Sequence, residues 1–266
     1  DFHWNVNANL TLLDTRVIEL AGGATEMNLD SDWAGYAIVG ERYPMIKATD
    51  WVRNPEGKII VDPVTGLPKA GDIVAVGTSD PTIRIGLNSV MKWKGFSLAA
   101  TFDYRGGHYT RPSSEYNMLF TGASYISGIS GRQRFVFPNS VIAETDASGN
   151  VTYRENTDIT VNDAGKTFWN GIYKQGRANQ IISAASWRLR ELSLGYDVPK
   201  KYLKKVGFLQ RASVSLVGRN LFMWTPSTNI WGDPDFTGSG NGNVGGFSGT
   251  NNVGQRSYGF NLLLSF

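Results

Sequence analysis

Two carboxylates one residue apart are the first side chains here that could do chemistry. Asp233 and Asp235 lie in "WGDPDF" (231–236). Glycoside hydrolysis uses such a pair across a cleft, one carboxyl donating a proton while the other attacks or activates water. The same pair, or Asp30 with Asp32, could offer oxygen ligands to calcium. Neither pair has EF-hand spacing. The chain holds only two histidines, His3 and His108, and no cysteine, so no Ser/His/Cys constellation accompanies the acids. The sequence predicts no enzyme, no cofactor and no metal site. "GSGNGNVGG" (238–246) has Gly-X-Gly spacing but does not lead from a strand into a helix, so it reads as a loop and not as a nucleotide cradle. Arg188 and Arg190 carry forks that suit lipopolysaccharide phosphates or carboxylates in internal salt bridges, and both readings stay open. The tryptophans Trp33, Trp51, Trp169, Trp224 and Trp231 fall in or near long connections. Their rings could stack on a sugar, meet a lid, or pack the loops.

The elements that position these residues are strands. Of 266 residues, 18% are charged and 12% aromatic, with 31 glycines. That balance suits a β-rich chain whose surface does not depend on Lys and Glu for solubility. A net charge of +3 without a run of five basic residues gives no footing for nucleic acid. The densest basic stretch, "PKKYLKKVG", could meet an acidic partner or face lipid headgroups. No stretch reaches the 18 apolar residues or so that a transmembrane helix needs. The first residues resemble no signal peptide, and with no initiator Met the chain is expected to be a mature or truncated product.

Six segments alternate apolar and polar residues: 2–13, 81–93, 95–105, 186–197, 211–224 and 257–266. Phe2, Trp4, Val6, Ala8, Leu10 and Leu12 oppose His3, Asn5, Asn7, Asn9 and Thr11 in the first. The fourth is mixed, because Leu192, Leu194 and Tyr196 share their parity with Arg188 and Arg190. Ordinary strands run about five or six residues, whereas one that crosses a bilayer needs about 9–11. The connections read long (14–80), short (92–95), long (106–185), short (198–210), long (225–256). Outer-membrane barrels have this asymmetry, with short periplasmic turns and long extracellular loops. A soluble β-sandwich has no reason to keep it. Tyr258, Phe260, Leu262, Leu264 and Phe266 then form an apolar closing strand that ends in an aromatic, the kind of ending read by outer-membrane assembly machinery. Asn5, Asn7, Arg84, Asp103 and Arg219 are expected on the wet side. Six strands fall short of the 8 with which single-chain barrels begin, so strands are expected to come from elsewhere in a larger protein or from other subunits.

The stretch "SWRLRELSLGYDVPKKYLKKVGFLQRASVSLVGRNLFMWT" (186–225) resembles the penultimate hairpin of SusC/RagA-type TonB-dependent transporters of Bacteroidetes. The likeness rests on Trp187 to Glu191, Pro199-Lys200 and Gly218 to Phe222. Residues 62–107 resemble the family's preceding hairpin, and "WGDPDF" its Asp-Pro-Glu-like loop, with Asp235 in place of Glu. The resemblance implies that residues 1–266 are the C-terminal part of an all-β, antiparallel, plugged barrel of about 22 strands, without the plug. It implies an outer-membrane importer of oligosaccharides or peptides, partnered by a SusD-like lipoprotein and driven through TonB by the missing N-terminal part. Trp33, Trp51, Trp169, Trp231, Asp233 and Asp235 become candidate substrate or lid contacts. Tyr258, Phe260, Leu262, Leu264 and Phe266 become the assembly signal. A soluble or surface carbohydrate-binding module, and an oligomeric pore with six strands per protomer, are the alternatives.

Overall fold

The computed structural model describes residues 2–29, 35–131, 133–161, 165–204, 207–235, 247–248 and 254–266. Trp33, Asp30, Asp32, Lys205 and the glycine-rich stretch 238–246 lie outside them.

The chain is mostly β-strand, and its long strands form one six-stranded antiparallel sheet. They are β1 (Phe2–Leu12), β2 (Ile83–Trp93), β3 (Phe96–Gly106), β4 (Ser186–Asp197), β5 (Arg211–Trp224) and β6 (Ser257–Ser265). Their spatial order is their chain order, so each strand pairs with its neighbours in sequence. This meander places all three long connections at one end and both short ones at the other. The β2–β3 turn is the two residues Lys94 and Gly95, with φ of 46° and 89°. Positive φ at both central positions is the twist-matched hairpin geometry. A Cβ on Gly95 would sit 2.9 Å from the Asp197 carbonyl oxygen, so the next hairpin's backbone needs glycine there.

The register sorts side chains by face. Trp4, Met91, Leu98, Leu194, Leu216 and Phe260 form one row across all six strands. Towards the short turns lies a second row of Phe2, Trp93, Phe96, Tyr196, Val214 and Leu262. Towards the long loops, Leu10, Ile85, Tyr104, Trp187 and Trp224 form a third. This apolar face is uncovered: Trp4 is 60% exposed, Leu216 57% and Phe260 62%. Aromatics gather at both of its ends, with Phe96 against Tyr196 (4.6 Å) and Tyr104 against Trp187 (4.9 Å).

The mixed parity of the fourth segment has a physical cause. Leu189 pairs with Phe102 and Phe222, and Glu191 with Thr101 and Arg219. Arg190 is therefore an extra residue against β3, a bulge that shifts the side-chain alternation by one. Leu189 and Leu192 both stay with the apolar rows. β5 answers with Asn220 in the left-handed region at φ 52°, which asparagine tolerates better than most residues.

The two long connections 14–80 and 106–185 are not irregular. Glu26–Asn28, Gly35–Ile38, Met45–Trp51 and Ala70–Thr78 form a four-stranded sheet. Ile59–Ile60 joins Ser140–Thr145 and Val151–Glu155 in another, so the first loop is stitched to the second. Between them lies a small core of Trp51, Val161 and Phe168, flanked by Phe135, Phe137, Trp169 and Tyr173. These segments are rich in Gly, Asn, Asp, Pro and Ser and most of their strands are short, which hid them from a periodicity reading.

Candidate functional site

On the polar face, the ends of β3 and β4 nearest the long loops carry Asp103, Arg105, Arg188 and Arg190. Alternation and the bulge bring them to one side. The third long connection turns back over them through Trp231–Asp235. Arg188 donates from both terminal nitrogens to the Asp233 carboxylate, one bond at 2.7 Å. Arg190 donates to Asp103 at 2.8 and 2.9 Å and to Asp235 at 2.6 Å. Arg105 reaches Asp235 at 3.2 Å. Three guanidinium groups thus hold three carboxylates. Arg188 is only 6% exposed, and Asp233 further accepts the Asp235 backbone N–H at 2.9 Å.

Burial alone would raise the Asp233 carboxyl. The Arg188 hydrogen bonds, the Asp235 backbone N–H and the charges of Arg188 and Arg190 together outweigh it and hold the group below the usual carboxylate range. A carboxylate so held is a poor proton donor, and its oxygens already face cations. Among the described residues no three acids or histidines gather as a metal cluster. His108, just beyond β3, is buried, and burial pushes its imidazole down to about 4. The arrangement therefore does electrostatic fastening: it ties a loop to the sheet. An open cavity of about 490 Å³ lies beside it, lined by Arg188, Arg190, Met223, Asp233, Asp235 and Arg256 among others.

The remaining predicted residues are dispersed. Trp51 is 5% exposed and sits in the loop core, with its ring lying where a Cβ on Gly176 would be. Trp169 packs at 4.8 Å from Phe168 and 5.2 Å from Tyr173. Trp231 is half-buried two residues before Asp233, its backbone N–H donating to Asn229 Oδ1 at 3.2 Å. Asn5, Asn7, Arg84 and Arg219 lie on the polar face, where Arg219 pairs with Glu191 at 2.9 Å. The two open readings of Arg188 and Arg190 resolve to internal salt bridges. Tyr258, Phe260, Leu262 and Leu264 project from the apolar side of β6, and Phe266 stacks on Phe208 at 6.0 Å.

Sequence reasoning missed a second buried group in the loops. Glu115, on the helix Ser113–Phe120, is 5% exposed and accepts a hydrogen bond from the Tyr173 hydroxyl. Burial pushes its carboxyl up to about 7. No periodicity pairs residues so far apart.

With this geometry in view, three solved structures align over nearly the whole chain. The RagAB peptide transporter matches at 16% identity and a TM-score of 0.63, over 100% of this chain and 27% of its own. The RagAB peptide importer in its closed-closed state matches at 17% and 0.63, over 100% and 28%. In its open-open state it matches at 19% and 0.62, over 99% and 27%. The chain thus spans little more than a quarter of the length of the chains it matches, and at these identities the likeness establishes the fold. No family model and no curated protein matches.

Proposed function

We propose that this chain is a stretch of wall in an outer-membrane β-barrel transporter, six adjacent strands of a larger closed barrel with their long loops outside. The observation that carries the reading is the uncovered apolar face bounded by aromatic rows at both ends. Phe96 and Tyr104 are eight residues apart on β3, roughly 27 Å along the strand and less across a bilayer once the strand tilts. The apolar band of such barrels is about 25 Å tall between aromatic girdles. The opposite face, with its asparagines, serines and ion pairs, suits a wet interior. Among the described residues β1 and β6 each have an edge without a partner strand. In lipid every backbone group needs a partner, so further strands close the wall. The alignment to about a quarter of much longer chains favours strands from one polypeptide over copies of a short one.

In this reading the intact transporter imports oligosaccharides or peptides, pairs with a SusD-like lipoprotein over its loops, and draws energy through TonB. This chain contributes wall and loops and no catalysis. Trp231 and the cavity beside the ion cluster offer the substrate-facing surface nearest the wall. Tyr258, Phe260, Leu262, Leu264 and Phe266 act as the assembly signal.

Fractionation of the native envelope tests this. The polypeptide carrying "SWRLRELSLGY" should remain with outer membranes after alkaline extraction. Its denatured mass should be several times 29.2 kDa. Deleting its gene should abolish growth on an oligosaccharide or peptide as sole nutrient while sparing growth on the monomers. A soluble 29.2 kDa band would point to a binding module, and a membrane band of that mass to an oligomeric pore.

A further inference from the structure

Charge is distributed unequally between the two ends of the sheet. At the short-turn end Lys94, Lys200, Lys201, Lys204 and Arg211 are all exposed. The acid within these two turns and their strand ends is Asp197, and it is paired with Arg211 at 3.2 Å. The lysines have no carboxylate to answer them among the described residues. The two turns are neighbours: the Asp197 N–H donates to the Gly95 carbonyl at 2.8 Å, which brings Lys94 beside the 198–210 turn.

The cations also keep company with exposed rings. The Lys94 ammonium lies 4.9 Å from the centre of the Trp93 ring, which belongs to the apolar face. The Lys201 ammonium lies 4.8 Å from that of Tyr202, a ring 51% exposed. Phe208 and Phe266 stack in the same rim and leave most of their surface bare. An ammonium over an interfacial ring sits at headgroup depth on the lipid side of the wall, with its stem along apolar surface.

We infer that this short-turn rim is a binding surface for anionic phospholipid headgroups, the phosphates meeting Lys94, Lys200, Lys201 and Lys204 while the rings seat among the glycerol backbones. The inference rests on the membrane reading above. Charge complementarity selects the partner, because a basic side chain near an anionic membrane surface strengthens attraction by roughly fivefold and the effect fades within a Debye length. An acidic protein lacks the apolar layer that the bare rings require.

Reconstitution of the purified protein with spin-labelled phosphatidylglycerol or phosphatidylcholine tests it. Motionally restricted lipid gives a relative association constant for each headgroup. The wild type should prefer phosphatidylglycerol by at least threefold at low salt, and the preference should shrink in 0.5 M salt. Lys94→Glu/Lys200→Glu/Lys204→Glu should bring the ratio close to one while leaving the total amount of restricted lipid unchanged. A wild-type ratio of one, or a preference that survives in the triple variant, overturns the inference. A protein that restricts neither lipid contradicts the membrane reading itself, so the two failures are distinguishable.

Discussion

Arg188 and Asp233 face each other fork to fork, a guanidinium on β4 donating twice to a carboxylate on the third long loop. The pair is 45 residues apart in sequence, as is Arg190 with Asp235, and the two pairs hold the loop side by side. Removing one partner from a nearly buried pair leaves the other charge stranded, which typically costs about 3–5 kcal/mol.

Asp233→Ala should therefore destabilise the loop by about 3 kcal/mol, the low end of that range, because Arg188 also lies 3.2 Å from the Asp235 carboxylate and keeps that contact. Arg188→Met/Asp233→Leu should recover much of that loss. A double-mutant cycle on the thermal midpoint should give a coupling above about 1 kcal/mol. Additive losses would mean that the pair does not fasten the loop.

The bulge at Arg190 and the left-handed Asn220 make a second prediction. Asn220→Gly keeps the backbone free to adopt φ 52° and should be neutral. Asn220→Val places a β-branched residue there and should cost about 1–3 kcal/mol. If the bulge slips, Arg190 loses Asp103 and Asp235, so Asn220→Val should also make loop 225–256 more open to protease. Equal midpoints for the two variants would contradict this account of the bulge.

Most of the six-stranded sheet was legible in the sequence and most of the loop architecture was not. Period-2 alternation located β1 to β6 within about two residues, because each strand keeps one apolar and one polar face. The long and short connections followed from the same boundaries. The bulge was visible only as a conflict, Leu192 sharing parity with Arg188, and its resolution needed the pairing on both sides of β4. For Trp51 stacking on a sugar, meeting a lid and packing the loops all stayed open, because nothing local announces that Phe168, Tyr173 and Gly176 lie around it. Asp233 and Asp235 drew attention as a carboxylate pair, but their arginines come from another strand. Contacts between distant segments leave no spacing to read.

Glu115 gives a pH prediction for the loops. Burial raises its carboxyl from 4.5 to about 7, with the Tyr173 hydrogen bond and Arg111 opposing. The folded state therefore holds the proton more tightly than the unfolded one. The stabilisation is full below about pH 4.5 and is lost as pH rises through about 7, an effect of at most about 3 kcal/mol. His108 has the opposite sign: its pKa is lowered to about 4, so its contribution is present above about pH 6.5 and lost as pH falls through about 4. Comparing Glu115→Gln with the wild type cancels the histidine. The wild-type thermal midpoint should drop more than the variant's between pH 5.5 and pH 8. Parallel pH profiles would show that Glu115 does not titrate in this range.

The central claim is that one face of the sheet meets lipid and the other meets water. These 266 residues contain no cysteine, so a cysteine placed along β5 is the one thiol within them, and the unsubstituted protein labelled in parallel supplies the baseline. At positions Val214, Ser215, Leu216 and Val217 in turn, a bilayer-confined maleimide and a water-soluble one are offered to the protein in native membranes. The account predicts strict alternation: 214 and 216 react with the bilayer reagent and are shielded from the aqueous one, and 215 and 217 do the reverse. Aqueous labelling of both 214 and 216, on the same time scale as a loop cysteine, would contradict it.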